Sequence, residues 1–284
     1  MSSDKGGHWY TRARESLHEV PNKSKPGEMR GTTLRDARTL GLFPSVTTIL
    51  SVLDRPQLTD WKLEQVAAAA YALVSIPKLT HPTVEDWTKF ILEKAFQQTT
   101  DAADLGTAIH AAIEAWATGQ PYDAELAPYV QAVAEWVKKE QIEFVTHEEI
   151  VVSEEHGHAG TLDASIRCPR GRGILDFKSR KTKPGIAATP YDTQPMQVAA
   201  YHVAKFGTDS FWPDAVGVNL FISTTERDER GLARIDATWY SAAELQSEWR
   251  AFSHALSLWK HIKGYDATEA AQPAAPKPAK HAKK

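Results

Sequence analysis

Two short apolar runs in the middle of the chain each carry one aspartate. The run "GTLDASI" contains Asp163, and "GILDFKSR" contains Asp176 with Lys178 two positions later. Residues two apart in a β-strand share a face, so the spacing places Asp176 beside Lys178, while Leu175 and Phe177 face apolar packing on the other side. A carboxylate is costly to bury without a partner. The pattern therefore predicts a cation between the two aspartates.

A chain reversal near Pro169 and Arg170 would set Asp163 opposite Asp176. Two adjacent carboxylates either share a proton or bind a cation. Oxygen ligands of this kind suit Mg²⁺ or Mn²⁺. With Lys178 nearby, the group is suited to phosphodiester hydrolysis, because a metal polarises the phosphoryl oxygen and an ammonium offsets developing charge. The alternative is an ordinary ion pair of Asp176 and Lys178 on a solvated strand.

A histidine on an alanine-rich helix is a further candidate ligand. His110 in "GTAIHAAIEAW" shares a helix face with Glu114, one turn on. His110 either binds the metal or is a core histidine bonded to a carbonyl; Glu114 either orients the imidazole or faces solvent. The Asp-x-Lys pattern alone is not specific, since Asp60 and Lys62 repeat it in a helical stretch.

Four motifs in a fixed order are a more specific signal than the Asp-x-Lys pattern alone. They are "GTAIH" on a helix, "GTLD" and "LDFK" on strands, and "QVAAY" on the next helix. In this order the chain resembles the RecB-type branch of the PD-(D/E)XK nuclease superfamily over roughly residues 100–225. More loosely, "PSVTTILSVLDRPQLTDWK" is similar to the leading segment of mitochondrial genome-maintenance exonucleases and their phage relatives.

The resemblance implies a role for each motif residue. His110, Asp163, Asp176 and the main-chain carbonyl of Phe177 would bind Mg²⁺ or Mn²⁺, and Lys178 would act in catalysis together with the two aspartates. A related subgroup holds an iron–sulfur cluster on four cysteines. This chain has one cysteine, so no iron–sulfur cluster is expected.

Substrate contacts are expected from a second set of residues. The resemblance implies that Gln197 and Tyr201 position the scissile strand, although a tyrosine on an amphipathic helix also serves simple packing. Arg180 and Lys181 are predicted to grip phosphates. They belong to a basic cluster that is alternatively a solvated hairpin tip: Arg167, Arg170, Arg172, Arg180, Lys181 and Lys183. Three tryptophans are candidates either for base stacking or for the core: Trp9, Trp61 and Trp87.

Composition limits the class of protein. With 284 residues, 42% hydrophobic residues and nine tryptophans, a substantial core is feasible. The formal net charge of -3 argues against coating nucleic acid by bulk charge. Cys168 alone excludes an internal disulfide framework. No apolar run reaches the ~18 residues of a membrane span, so a cytoplasmic protein of a bacterial or phage-infected cell is expected.

Hydrophobic periodicity predicts the elements that position these residues. It indicates helices over 58–74 and 127–142, two helices within 84–119, and a change to period two from Glu143. Three strands then form a meander, followed by a helix, two strands and a helix from Ala242 to about Lys263. We expect an α/β fold: a mixed central sheet with an antiparallel meander flanked by helices, plus a helical N-terminal part. The resemblance to the nuclease superfamily implies that this is a restriction-endonuclease-like core.

The predicted organisation has three parts. Residues 1–44 form an irregular arm or small ribbon, and residues 45–265 form the nuclease domain. Within that domain, a helical arch (45–119) covers a core (100–265). Residues 266–284 form a disordered basic tail rich in Ala, Pro and Lys.

The expected activity is a metal-dependent exonuclease on single-stranded or recessed DNA ends, in recombination, repair or phage replication. A single-strand-binding or recombination protein is a further expected partner. Two alternatives are a nucleic-acid-binding module that has lost cleavage and a structural or inhibitory protein that binds a partner through its helical half.

Overall fold

A computed structural model describes residues 7–54, 56–72 and 83–269 of the chain. The described elements follow in chain order: β1 (Trp9–Tyr10), β2 (Glu19–Pro21), β3 (Met29–Gly31), α1 (Leu34–Leu40), β4 (Phe43–Pro44), α2 (Val46–Leu50), α3 (Pro56–Ala72), α4 (Val84–Ala117), a 3-10 turn (Ala124–Leu126), α5 (Ala127–Lys139), β5 (Glu143–Ser153), β6 (His158–Cys168), β7 (Gly171–Arg180), α6 (Thr193–Phe206), β8 (Ala215–Arg227), β9 (Ala233–Tyr240) and α7 (Ala242–Lys263).

A five-stranded mixed sheet forms the centre, in the order β5-β6-β7-β8-β9. The pairing of β7 with β8 is parallel, and the other pairings are antiparallel. The predicted α/β class, the mixed sheet and the antiparallel meander of β5, β6 and β7 are confirmed. Strands β7 and β8 can pair in parallel because helix α6 connects them and returns the chain to the same end of the sheet. An antiparallel hairpin does not need such a crossover.

Helices cover both faces of this sheet, so the core has two halves. On one face α6 and α7 pack on the strands, with fully buried side chains such as Val198 and Phe252. On the other face, α5 and the second half of α4 contribute Val133 and Ile109. The middle of β7 is therefore enclosed on both faces, and residues 173–177 are all buried.

The described part of the N-terminal segment, predicted as an irregular arm or small ribbon over residues 1–44, contributes side chains to the core. Strands β1 and β4 pair with each other, and Trp9, Tyr10 and Phe43 are at most 4% exposed. The β2–β3 ribbon confirms the small-ribbon prediction. Helix α1 was not predicted; Thr33 caps it in a reciprocal capping box with Asp36.

Part of residues 45–119, which were predicted to form a helical arch, packs in the core. Helix α2, whose N-cap is Ser45, buries Val46 and Ile49 in the core. Helix α4 is one continuous helix of 34 residues where two were predicted. Its first half packs against α3, as in the contact of Trp61 with Phe96, and its second half lies on the sheet. The predicted helix end at Val74 lies outside the described residues.

The C-terminal helix continues into an ordered turn. Asp266 forms an ion pair with Lys260 at 2.8 Å, and Ala267 is 1% exposed. A tail beginning at residue 266 is therefore predicted too early, and residues 270–284 lie outside the described part. Within the described ranges, none of the helices has the length and apolar character needed to cross a bilayer.

Candidate metal centre

The site residues meet where β6 and β7 separate. The two strands pair up to Ala164 and Leu175, whereas β7 continues alongside β8 as far as Arg180. Asp163 is the next residue of β6, opposite Asp176 as the hairpin prediction requires. Its Oδ2 accepts a hydrogen bond of 2.6 Å from the backbone N–H of Phe177. The Asp163 side chain thus accepts the hydrogen bond that a backbone carbonyl of β6 would accept if the pairing continued. This bond stabilises the fork where β6 and β7 separate.

Three possible metal ligands converge at this fork. His110 on α4, Glu148 on β5 and Asp163 on β6 each offer a ligand atom, and these atoms all lie within 4.8 Å of one another. Nδ1 of His110 is 3.9 Å from Oδ2 of Asp163. Two carboxylates and one imidazole fit Mn²⁺, and the carboxylates fit Mg²⁺. The donor set therefore fits the predicted cofactor, with His110 and Asp163 in the group as expected.

Glu148 is the member that sequence reasoning missed. It occupies the left-handed region, with φ of 42°, inside β5. The pairing with β6 skips it between His147 and Glu149. A non-glycine residue with this backbone conformation is uncommon and marks a locally constrained position. The sequence gives no glycine or asparagine at this position that would signal the irregularity.

The Glu148 carboxyl has a strongly shifted pKa. Glu148 is exposed on one side, and partial desolvation by the surrounding protein, followed by the charges of Asp163 and Glu114, raises its pKa to about 7. Repulsion between neighbouring carboxylates of this kind is relieved when a cation binds between them. The electrostatics of the fork therefore favour a cation.

The Asp176–Lys178 pair lies beside this group. Nζ of Lys178 is 2.8 Å from the Asp176 carboxylate, so the predicted shared face is confirmed. Asp176 is 1% exposed and also accepts 2.7 Å from Nδ2 of Asn219. Burial raises the pKa of Asp176 to about 6, against the opposing effect of Lys178. Both carboxylate oxygens are engaged in this way, so a metal-ligand role for Asp176 stays a prediction.

Lys178 keeps its charge in this environment. Burial alone would lower its pKa, but the charges of Asp176 and Asp163 outweigh burial and raise the pKa. A protonated amine therefore lies near Asp176 and Asp163. The carbonyl of Phe177, which was expected to join them, belongs to the residue whose N–H binds Asp163; its role as a ligand stays a prediction.

Two motif glycines allow the elements to approach one another. A Cβ on Gly106 would lie 2.7 Å from Oγ of Ser179, so this glycine brings α4 close to β7. His110 is one turn further along the same helix. A Cβ on Gly160 would lie 2.5 Å from Cε1 of Tyr201, so this glycine makes room for the aromatic ring. The glycines of the first and second motifs, "GTAIH" and "GTLD", thus have a packing reason.

The Gln197–Tyr201 pair is internal. Nε2 of Gln197 donates to the Tyr201 hydroxyl at 3.1 Å, and Tyr201 is only 5% exposed. Burial raises the pKa of the Tyr201 hydroxyl, with smaller contributions from the charges of Asp176 and Asp163. Tyr201 is therefore a buried residue near Asp163 and Asp176, and Gln197 is more accessible than Tyr201. Positioning of a substrate strand by the pair stays a prediction.

Several predicted contacts have a different environment from the one expected. Glu114 is exposed, and within the described residues it makes no hydrogen bond to His110; its charge acts on Glu148 instead. The Arg180 guanidinium is bonded to the Thr189 carbonyl, whereas Lys181 is exposed. The arginines at the hairpin tip pair with acids: Arg167 with Glu143, Arg170 with Glu140, and Arg172 with Asp214.

The tryptophans divide between core and surface. Trp9 is 2% exposed and packs near Trp259, so base stacking by Trp9 is excluded in this fold. Trp61 is 37% exposed on α3, and Trp87 is half-buried on α4.

No known protein-family model matches the sequence, and no curated protein matches it either.

Proposed function

We propose that this protein is a Mg²⁺- or Mn²⁺-dependent nuclease that hydrolyses phosphodiester bonds of DNA on a restriction-endonuclease-like core. The observation that carries the proposal is the convergence of His110, Glu148 and Asp163 within 4.8 Å, beside a buried Asp176–Lys178 ion pair. The four motifs that supply most of these residues have the order typical of RecB-type exonucleases.

Each residue has a distinct task in this proposal. His110, Glu148 and Asp163 hold the cation, which when bound supplies Lewis-acid polarisation of the phosphate. Lys178 places a permanent positive charge where negative charge develops on the phosphate in the transition state. Asp176 orients the Lys178 ammonium through their 2.8 Å contact.

The substrate of the proposed enzyme is a DNA end, and an exonuclease is favoured over an endonuclease. The hairpin-tip arginines are paired with carboxylates, which disfavours an open basic face for duplex DNA. The α3–α4 pair supplies a helical element of the kind found in strand-threading exonucleases. Contact with phosphates implies that binding weakens as salt rises.

Cleavage of end-labelled DNA tests the reaction. Purified protein should degrade linear single-stranded DNA with Mg²⁺ or Mn²⁺ and not with EDTA, while closed single-stranded circles persist. Lys178→Ala should reduce cleavage by about 10²-fold or more while DNA binding remains. The matched control is Lys62→Ala, an exposed lysine in the same Asp-x-Lys pattern on α3.

The outcomes separate the alternatives. DNA binding without cleavage under any metal would favour a binding module on this fold. Equal loss in the Lys178 and Lys62 variants would mean that the active site lies elsewhere. Nicking of closed circles would make the protein an endonuclease with an open cleft.

Calorimetric titration with Mn²⁺ tests the metal centre directly. Asp163→Asn should abolish binding because it removes a central ligand, whereas Glu93→Gln, a change at an exposed residue in the first half of the His110 helix, should retain it. Unchanged affinity in Asp163→Asn would refute the proposed centre.

A further inference from the structure

Three side chains form a continuous stack beside the candidate metal centre. The guanidinium of Arg180 lies 4.3 Å from the ring centroid of Phe221 and 4.5 Å from that of Tyr191. Phe221 is fully buried, whereas Tyr191 is 64% exposed. The stack therefore begins in the core and ends in an aromatic ring at the surface.

The register of the sheet places this stack next to Lys178. Phe221 of β8 is the residue paired with Lys178 of β7. Arg180 follows Lys178 by two positions and so shares its face of the strand. The positive charge of Arg180 also opposes protonation of Lys178, which is consistent with their proximity. Tyr191 thus lies at the margin of the proposed active site.

Hydrogen bonds fix the stack to the helix that carries Gln197. Oε1 of Gln194, in the first turn of α6, accepts two hydrogen bonds: one of 3.3 Å from Nη2 of Arg180 and one of 2.9 Å from the backbone N–H of Tyr191. Nη1 of Arg180 donates 2.9 Å to the carbonyl of Thr189. The Arg180 guanidinium thus links strand β7, which carries the "LDFK" motif, to helix α6, which carries the "QVAAY" motif.

The connection between β7 and α6 is fixed at further points along its length. The N–H of Ala188 donates a hydrogen bond of 3.0 Å to Oδ2 of Asp236. Nη1 of Arg234 donates one of 3.2 Å to the carbonyl of Lys183. A surface ring held by this many contacts loses little conformational freedom on binding a ligand.

The Arg180 guanidinium contacts two rings and two hydrogen-bond acceptors, and these contacts support Tyr191. A phosphate contact by Arg180 stays a prediction. The exposed face of Tyr191 remains free to stack. Lys181 and Lys183 are both exposed on the same connection and can approach a phosphate backbone.

We propose that Tyr191 is a stacking platform for an unpaired nucleobase adjacent to the scissile phosphate, with Arg180 and Phe221 as its support. Nucleobases offer a π-face regardless of sequence, and a base within a duplex is already stacked on its neighbours. The platform therefore selects single-stranded nucleic acid. This inference rests on the proposed nuclease function and names the form of its substrate.

Equilibrium binding in EDTA, where metal-dependent cleavage is absent, tests the platform. Fluorescence anisotropy would compare a labelled single-stranded oligo(dT) with an abasic oligomer of equal length and charge. Wild type should bind oligo(dT) about ten-fold more tightly than the abasic strand, in line with one aromatic–base stack. Tyr191→Ala should lose this preference, and Tyr191→Phe and Tyr191→Trp should keep it because they retain an aromatic face.

A matched control is available on α3. Tyr71 is 84% exposed, and Tyr71→Ala should retain the wild-type preference for bases. A preference that survives in Tyr191→Ala would overturn the platform and leave the nuclease proposal intact. Absence of any DNA binding by the wild-type protein would instead overturn the nuclease proposal, and the platform with it.

Discussion

Acidification should destabilise this protein through one fully buried histidine. His158 is 0% exposed, and its ring packs against Trp249 and Phe252 with centroid distances of 5.6 and 5.1 Å. Its Nε2 donates 3.1 Å to the carbonyl of Ala200, which fixes the tautomer. Nδ1 is buried and has no hydrogen-bond partner within the described residues. Protonation would therefore place a charge and an unpaired N–H in an apolar environment.

The sign and size of the effect follow from linkage. Burial lowers the pKa of His158 from 6.5 to about 3, so between these values the unfolded chain binds a proton that the folded protein does not. The contribution of His158 to stability is present above pH 6.5 and is lost as the pH falls. The loss approaches ~1.4 kcal/mol per pH unit and reaches roughly 2.7 kcal/mol at pH 4.5 relative to neutral pH.

Urea unfolding at several pH values between 7.5 and 4.5 measures this contribution. His158→Gln keeps an amide donor near Ala200 but cannot titrate, so its unfolding free energy should fall less steeply with acid than that of wild type. His254→Gln, at an exposed position on α7, should keep the wild-type slope. Parallel curves for wild type and His158→Gln would refute the reasoning, whatever the offset between them.

Three further changes test the surroundings of the candidate metal centre. Gly160→Ala should lower the free energy of unfolding by about 1–3 kcal/mol, because the new Cβ would lie 2.5 Å from the Tyr201 ring; an unchanged urea midpoint would contradict this. Glu148→Gln should weaken Mn²⁺ binding in calorimetry yet raise the melting temperature in EDTA, since it removes carboxylate repulsion; equal affinity would exclude Glu148 from the centre. Asn219→Leu should cost roughly 1–3 kcal/mol of stability in urea, because the buried Asp176 carboxylate loses a 2.7 Å donor; a neutral result would show that this bond is dispensable.

Local patterns predicted most of the secondary structure, and long-range contacts account for the differences. The strands from Glu143 onward were predicted because their periodicity is a local property. The N-terminal segment was not assigned to the core, because Trp9 packs against Trp259 and Tyr265, some 250 residues further along the chain. Helix α4 runs unbroken through Gly106 because packing on β7 outweighs the low helix propensity of glycine.

The candidate site was predictable only where spacing carries the information. The two-residue spacing of Asp176 and Lys178 gave their shared face directly. Glu148 was missed because its orientation depends on a left-handed backbone conformation, which a glutamate in the sequence does not predict. Arg180 was assigned to phosphate contact from its charge alone, while its ring and carbonyl partners are set by the tertiary fold.

The distribution of the three possible ligands along the chain has a thermodynamic consequence. His110, Glu148 and Asp163 come from a helix and two strands, and the unfolded chain does not hold them together. A cation that binds only the folded form adds RT ln(1 + [L]/Kd) to its stability, or about 2.7 kcal/mol at a hundred times Kd. The melting temperature of such a protein is then set partly by the free metal concentration around it. Depletion of such a cation would both empty the proposed centre and lower the free energy of unfolding.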